Sequence, residues 1–124
     1  MSIEIRPARK EDMAEVLGLI RELAIYEKEP DAVEVDREQL ETDGFGPVPK
    51  FHCFVAARGS QILGMALVYP RYSTWKGPAL HLEDLIVTED ARGIGLGTAL
   101  LTEVIRYAKH IGARRVSWEV LDWN

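Results

Sequence analysis

The stretch from Ala79 to Leu121 constrains the fold more than any other part of the chain. ALHLEDLIV (79–87) is a strand-like apolar run, and RGIGLG (92–97) follows it. TALLTEVIRYAKHIG then carries apolar residues at Leu100, Leu101, Val104, Ile105 and Ala108, the spacing of one helix face, and Gly112 closes it. RRVSWEVL (114–121) reads as a strand again. A strand, loop, helix and strand in this order imply parallel pairing within a sheet.

The upstream elements prescribe the opposite pairing. FHCFVAAR (51–58) and ILGMALVYP (62–70) flank Gly59-Ser60, a hairpin turn that makes two strands antiparallel. IEIR (3–6) is a short alternating strand that Pro7 ends. KEDMAEVLGLIRELAIYEKE has apolar residues at Met13, Val16, Leu17, Ile20, Leu23 and Ala24, which predicts a helix that Pro30 stops. Glu11 and Asp12 suit its N-terminal end. VDREQLETDGFG predicts a second, short helix with Asp36 as N-cap, Gln39 three residues on and Gly44 just past its end. The order β α α β β β α β gives an α/β (α+β) class: a mixed, mostly antiparallel sheet flanked by helices, in a single domain over residues 1–124.

RGIGLG lies where a strand hands over to a helix. A helix N-terminus presents unpaired N–H groups and partial positive charge, so it favours anions. Glycines let a phosphate approach those N–H groups, and Arg92 adds a charged fork. The spacing is neither the dinucleotide G-x-G-x-x-G nor a P-loop, because no Gly-Lys-Ser/Thr follows. Arg92, Gly95 and Gly97 match R-x-x-G-x-G, the pattern of the GNAT N-acetyltransferase superfamily. LIRELAIYEKE, ETDGFG, FHCFVAA, HLEDLIV and DWN, in that order, resemble its diamine acetyltransferase branch, the spermidine/spermine and thialysine enzymes.

The resemblance implies acetyl-CoA as cosubstrate and a small primary amine as acceptor: a diamine, a polyamine or a lysine-like amino acid. It implies that Leu85, Ile86 and Val87 offer backbone groups to the pantetheine arm, and that Arg92, Gly93, Ile94, Gly95, Leu96, Gly97 and Thr98 cradle the pyrophosphate. Asn124 matches the asparagine that opens the next family segment and is assigned with the cofactor residues. Tyr26, Glu27 and Trp75 match positions that meet the amine, while Ser73 stands where polyamine enzymes carry an acid, which favours a shorter amine or an amino acid. A homodimer is expected on the same ground. Family members continue past this asparagine into a helix with a general-acid tyrosine and further strands, so the chain is expected to be C-terminally incomplete.

An amine must lose a proton before it attacks a thioester. Glu83 and Asp84 are neighbours on one strand and should face opposite sides. Glu83 is the candidate base and amine ligand. Cys53 has no paired base in the sequence and reads as a small buried residue, so transfer should be direct. The histidines are scattered and predict no metal site. One cysteine excludes a disulfide framework, and with no signal peptide or membrane-length apolar run the expectation is a cytoplasmic protein. A net charge of −5 argues against nucleic-acid binding. Two other readings remain: a CoA-binding module without turnover, and an acetyltransferase acting on a protein amine.

Overall fold

The computed structural model describes residues 2–119. Five strands form one sheet in sequence order: β1 (Glu4–Pro7), β2 (His52–Arg58), β3 (Gln61–Ser73), β4 (Gly77–Val87) and β5 (Val116–Ser117). Pairing is antiparallel from β1 through β4 and parallel between β4 and β5. The helices are α1 (Met13–Tyr26), α2 (Arg37–Phe45) and α3 (Leu96–His110). This is the mixed sheet with flanking helices that the sequence predicts.

Two cores cover the two faces of the sheet. On one, Met13, Val16, Leu17 and Leu19 of α1 and Leu40 of α2 pack on Cys53, Val55, Met65, Leu67 and Ile86. On the other, α3 lays down Leu96, Leu100, Val104 and Ala108, one residue per turn, against Phe54, Ala56, Ala66, Val68, Leu80 and Leu82. Burial on both sides is why β2 and β3 read as unbroken apolar runs rather than alternations.

Several boundaries move, each for a local reason. Pro7 belongs to β1, paired with Phe54, because an edge strand spares one N–H. β3 runs through Pro70 to Ser73: β2 ends opposite Val68, so beyond it the outer edge of β3 needs no N–H. Lys10–Asp12 form a single 3-10 turn before α1, and α1 ends at Tyr26, short of Pro30. Asp36 caps α2 as predicted, accepting from the Gln39 N–H at 2.8 Å. Gly44, however, lies inside α2, and Gly46 follows the helix end. A Cβ on Gly44 would come within 2.5 Å of the Phe51 ring, so this glycine makes room for a side chain rather than ending a helix.

Acidic side chains fasten α1 to the sheet. Asp12 pairs with Arg6 of β1 at 2.8 Å and accepts the Arg9 N–H at 2.7 Å. Glu15 accepts the Ile62 N–H of β3 at 2.9 Å. Glu22 accepts the Thr88 hydroxyl at 2.8 Å and the Glu89 N–H at 3.0 Å, tying α1 to the segment after β4.

Candidate active site

β4 contains an irregularity that decides where its acids go. Leu67 faces Asp84 while Val68 faces Leu82, so Glu83 is an extra residue, a β-bulge. Leu80 and Leu82 pack on the α3 side, and so do Leu85 and Val87 beyond the bulge. The expected opposition of Glu83 and Asp84 is therefore corrected. The extra residue breaks the alternation, and both acids line one hollow with Leu23 and Glu27 from the end of α1 and with Trp118.

The crowding has an electrostatic signature. Asp84 is raised to about 6, first by burial and then by repulsion from Glu83 and Glu27. A carboxyl raised in the fold binds its proton more tightly there than in the unfolded chain, so its ionisation opposes folding. Stability from this group falls as pH rises from about 4 to about 6. Asp84→Asn is accordingly expected to stabilise the fold at pH 7.5 by on the order of 1–3 kcal/mol, with the difference vanishing toward pH 4, as urea melts at the two pH values would measure.

The hollow is one end of a trough. Leu23 and Leu85 also line a second depression with Tyr26, Ile86, Val87 and Arg92. Val87 and Arg92 then line a third, with Gly93, Gly95, Leu96, Gly97 and Thr98. Along this path β4 pairs with β5 only at Leu80 and His81 among the described residues, and none of the described residues forms a strand on its outer edge from Leu82 onward.

The third depression is built by backbone. Gly93 and Gly95 hold φ of 88° and 85°, which a side chain would strain. Gly95 is the N-cap of α3, two residues earlier than the sequence suggests, so Leu96, Gly97 and Thr98 form the first turn with N–H groups that no side chain caps. Gly97 needs glycine for neither reason. Its φ is not positive, and a Cβ there would meet no atom within 4 Å. Nothing inside the protein excludes a side chain at 97, but one would project into the space before the helix terminus.

Arg92 is braced before any ligand arrives. Its Nε donates to the Val87 carbonyl at 3.0 Å, and Nη2 lies 3.6 Å from Glu22. The Val87 carbonyl, expected to serve the pantetheine arm, thus already has a donor.

The structure brings Glu27, Glu83, Tyr26 and Leu85 to Thr98 along one path, with two exceptions. Ile94 is 63% exposed at the loop tip and does not line the third depression. Trp75 is 91% exposed in the β3–β4 turn, six residues along β4 from Glu83 when counted from Gly77, and lines none of the three depressions. Asn124 lies outside the described residues. Asp84, Glu22 and Trp118 joined the site unannounced. Only Asp84 had a signal in the sequence, the shift in apolar phase between Leu82 and Leu85. The Cys53 thiol is buried and pushed up to about 12, chiefly by desolvation, so it offers no nucleophile.

Residues 13–124 match the model of the acetyltransferase (GNAT) family. The chain belongs to the GNAT family. It is 41% identical over 130 residues to a thialysine N-epsilon-acetyltransferase of Bos taurus, covering 98% of this chain and 76% of that one. It is 35% identical over 128 residues to the spermidine/spermine N(1)-acetyltransferase-like protein 1 of Homo sapiens, covering 98% of this chain and 18% of that protein. An aminoglycoside acetyltransferase from an uncultured soil metagenomic sample superposes with a TM-score of 0.80 at 20% identity, over 98% of this chain and 80% of that one, which establishes the shared fold. This GNAT protein is an acetyltransferase, and among its described residues no helix is long and apolar enough to cross a membrane.

Proposed function

We propose that the protein transfers the acetyl group of acetyl-CoA to the primary amine of a lysine-like small molecule. One observation carries this reading: a single trough has four carboxylates (Glu27, Glu83, Asp84 and Glu119) at one end and an uncapped helix N-terminus behind glycines at the other. The glycine end suits a diphosphate, since N–H groups, helix dipole and open space coincide there. The space before Gly97 is the room such a group needs. The outer edge of β4 suits an amide-bearing arm between the two ends. The acid end suits a cation, because an ammonium relieves the repulsion that adds to burial in raising Asp84.

Acetyl-CoA supplies an activated acyl group as its thioester. Glu83, on the bulge, accepts the ammonium proton and frees the nitrogen lone pair. Main-chain N–H groups of β4 near the bulge would stabilise the carbonyl oxygen as it gains charge. The nitrogen bonds the acyl carbon, the carbon–sulfur bond breaks, and CoA leaves as a thiolate that takes a proton from solvent. The thialysine acetyltransferase relatives favour a lysine-like acceptor over a polyamine.

Gly97→Ala tests the cradle with two readouts of opposite sign. Alanine should stabilise α3 by about 0.5–1 kcal/mol. The same methyl should weaken acetyl-CoA binding about tenfold, a loss of about 1.4 kcal/mol in calorimetry. A stabilised variant that binds acetyl-CoA as the parent does would place the diphosphate elsewhere. Turnover assays with lysine analogues, diamines and N-terminal peptides then separate the acceptor classes.

A further inference from the structure

Beyond Glu83, toward the β3–β4 turn, the same face of the sheet carries a second hollow of about 360 Å³. Arg71, Tyr72, Ser73 and Thr74 line it from one side, and Arg115 and Ser117 from the other. His81 joins it to the trough. His81 and Glu83 sit two residues apart on β4, Tyr69 pairs with His81 and Arg71 with Ala79 on β3, and Ser117 pairs with His81 on β5. The buried His81 ring has Nδ1 3.0 Å from Arg71 Nη1 and 3.0 Å from Ser117 Oγ, while Nε2 lies 3.9 Å from Glu83 Oε1. A guanidinium can only donate, so Nδ1 accepts, which places the ring N–H on Nε2, toward Glu83.

The hollow has the opposite charge to the trough's acid end. Among the described residues, no carboxylate lies within ion-pair distance of Arg71 or Arg115. Acids are not in short supply, since the chain has 20 Asp and Glu against 15 Lys and Arg. Arg71 and Glu83 contact opposite nitrogens of one imidazole, so the cationic and anionic subsites stand apart by a ring width and two contacts. An extended lysine side chain has that reach between its terminal amine and its carboxylate.

We propose that this hollow is a carboxylate subsite: Arg71 and Arg115 hold the α-carboxylate of an amino acid whose distal amine meets Glu83. The proposal rests on the reading that the amine is activated at Glu83, and it adds the basis of discrimination. A zwitterionic acceptor matches both ends. A diamine or polyamine places a second cation against two guanidiniums, and this repulsion rejects it.

Lysine and cadaverine differ only in the carboxylate and make the test, by calorimetry for binding and by steady-state kinetics for turnover. The parent protein should favour lysine at least tenfold in kcat/KM. Arg115→Ala, which removes no contact to His81, should raise KM for lysine about tenfold at unchanged kcat and lower KM for cadaverine. Arg71→Gln, which keeps a donor for His81, should do the same, and Arg71→Glu should reverse the preference. Equal use of the two amines by the parent, or equal loss of both in Arg115→Ala, overturns the subsite. Arginine-dependent lysine binding that persists while Glu83→Gln leaves turnover intact would instead overturn the role of Glu83 and leave the subsite standing.

Discussion

Glu83→Gln should lower kcat/KM for the amine by about 10²–10⁴-fold while acetyl-CoA binds as before. Glutamine keeps the shape of the side chain and removes its ability to take a proton. Glu83 is half-exposed on the bulge, within the hollow that Glu27 and Asp84 share, and well removed along the trough from the glycine cradle. The fold should therefore tolerate the change, and a thermal melt checks this alongside the kinetics. Asp84 provides the internal comparison. It titrates at about 6, a value from which a carboxylate can also act as a base near neutral pH. A small effect of Glu83→Gln beside a large loss in Asp84→Asn would move the proton transfer to Asp84.

Asp12→Ala should cost about 3–5 kcal/mol of folding stability, because it strands the Arg6 charge in the interior. Both side chains of the pair are only 10% exposed. Burial alone would raise Asp12, but hydrogen bonds from the Arg6 guanidinium and the Arg9 N–H outweigh it and hold the carboxyl below its ordinary range. A depressed carboxyl stabilises the fold above its unfolded value, near 3.9, and that contribution disappears as pH falls through the folded value. The gap between parent and Asp12→Ala in urea melts should accordingly be full at pH 7 and shrink below about pH 4. The combination of Arg6→Met with Asp12→Ser removes the stranded charge and leaves an acceptor for Arg9, so it should cost less than Asp12→Ala alone. A domain stable by only about 5–15 kcal/mol would lose much of its margin with the single change.

Signals that act within a few residues were legible. Asp36 and Gln39 marked the start of α2, Gly59-Ser60 marked the hairpin, and RGIGLG marked a strand-to-helix link with an anion-suited mouth. Contacts between distant segments were not. The role of Gly44 depends on where Phe51 lands, and nothing near Gly44 announces it. Arg6 with Asp12, Glu22 with Thr88 and Arg92, and His81 with Arg71 and Ser117 meet only after the sheet has formed. The bulge falls between these cases. The leucines at 80, 82 and 85 spell out a change of phase, but strict alternation hides it.

The bulge also makes β4 a segment with a reading frame. Upstream, even-numbered leucines face α3; downstream, odd-numbered residues do, and Ile86 faces α1. Deleting Glu83 or Asp84 would remove the bulge and restore strict alternation, leaving Leu85 and Val87 toward α3 and Ile86 toward α1 but taking one carboxylate from the hollow. Substitutions there change chemistry one side chain at a time, whereas one residue added without a second bulge would turn every downstream position to the other face. The two residues between those leucines thus set a pair of carboxylates side by side where a regular strand would present one.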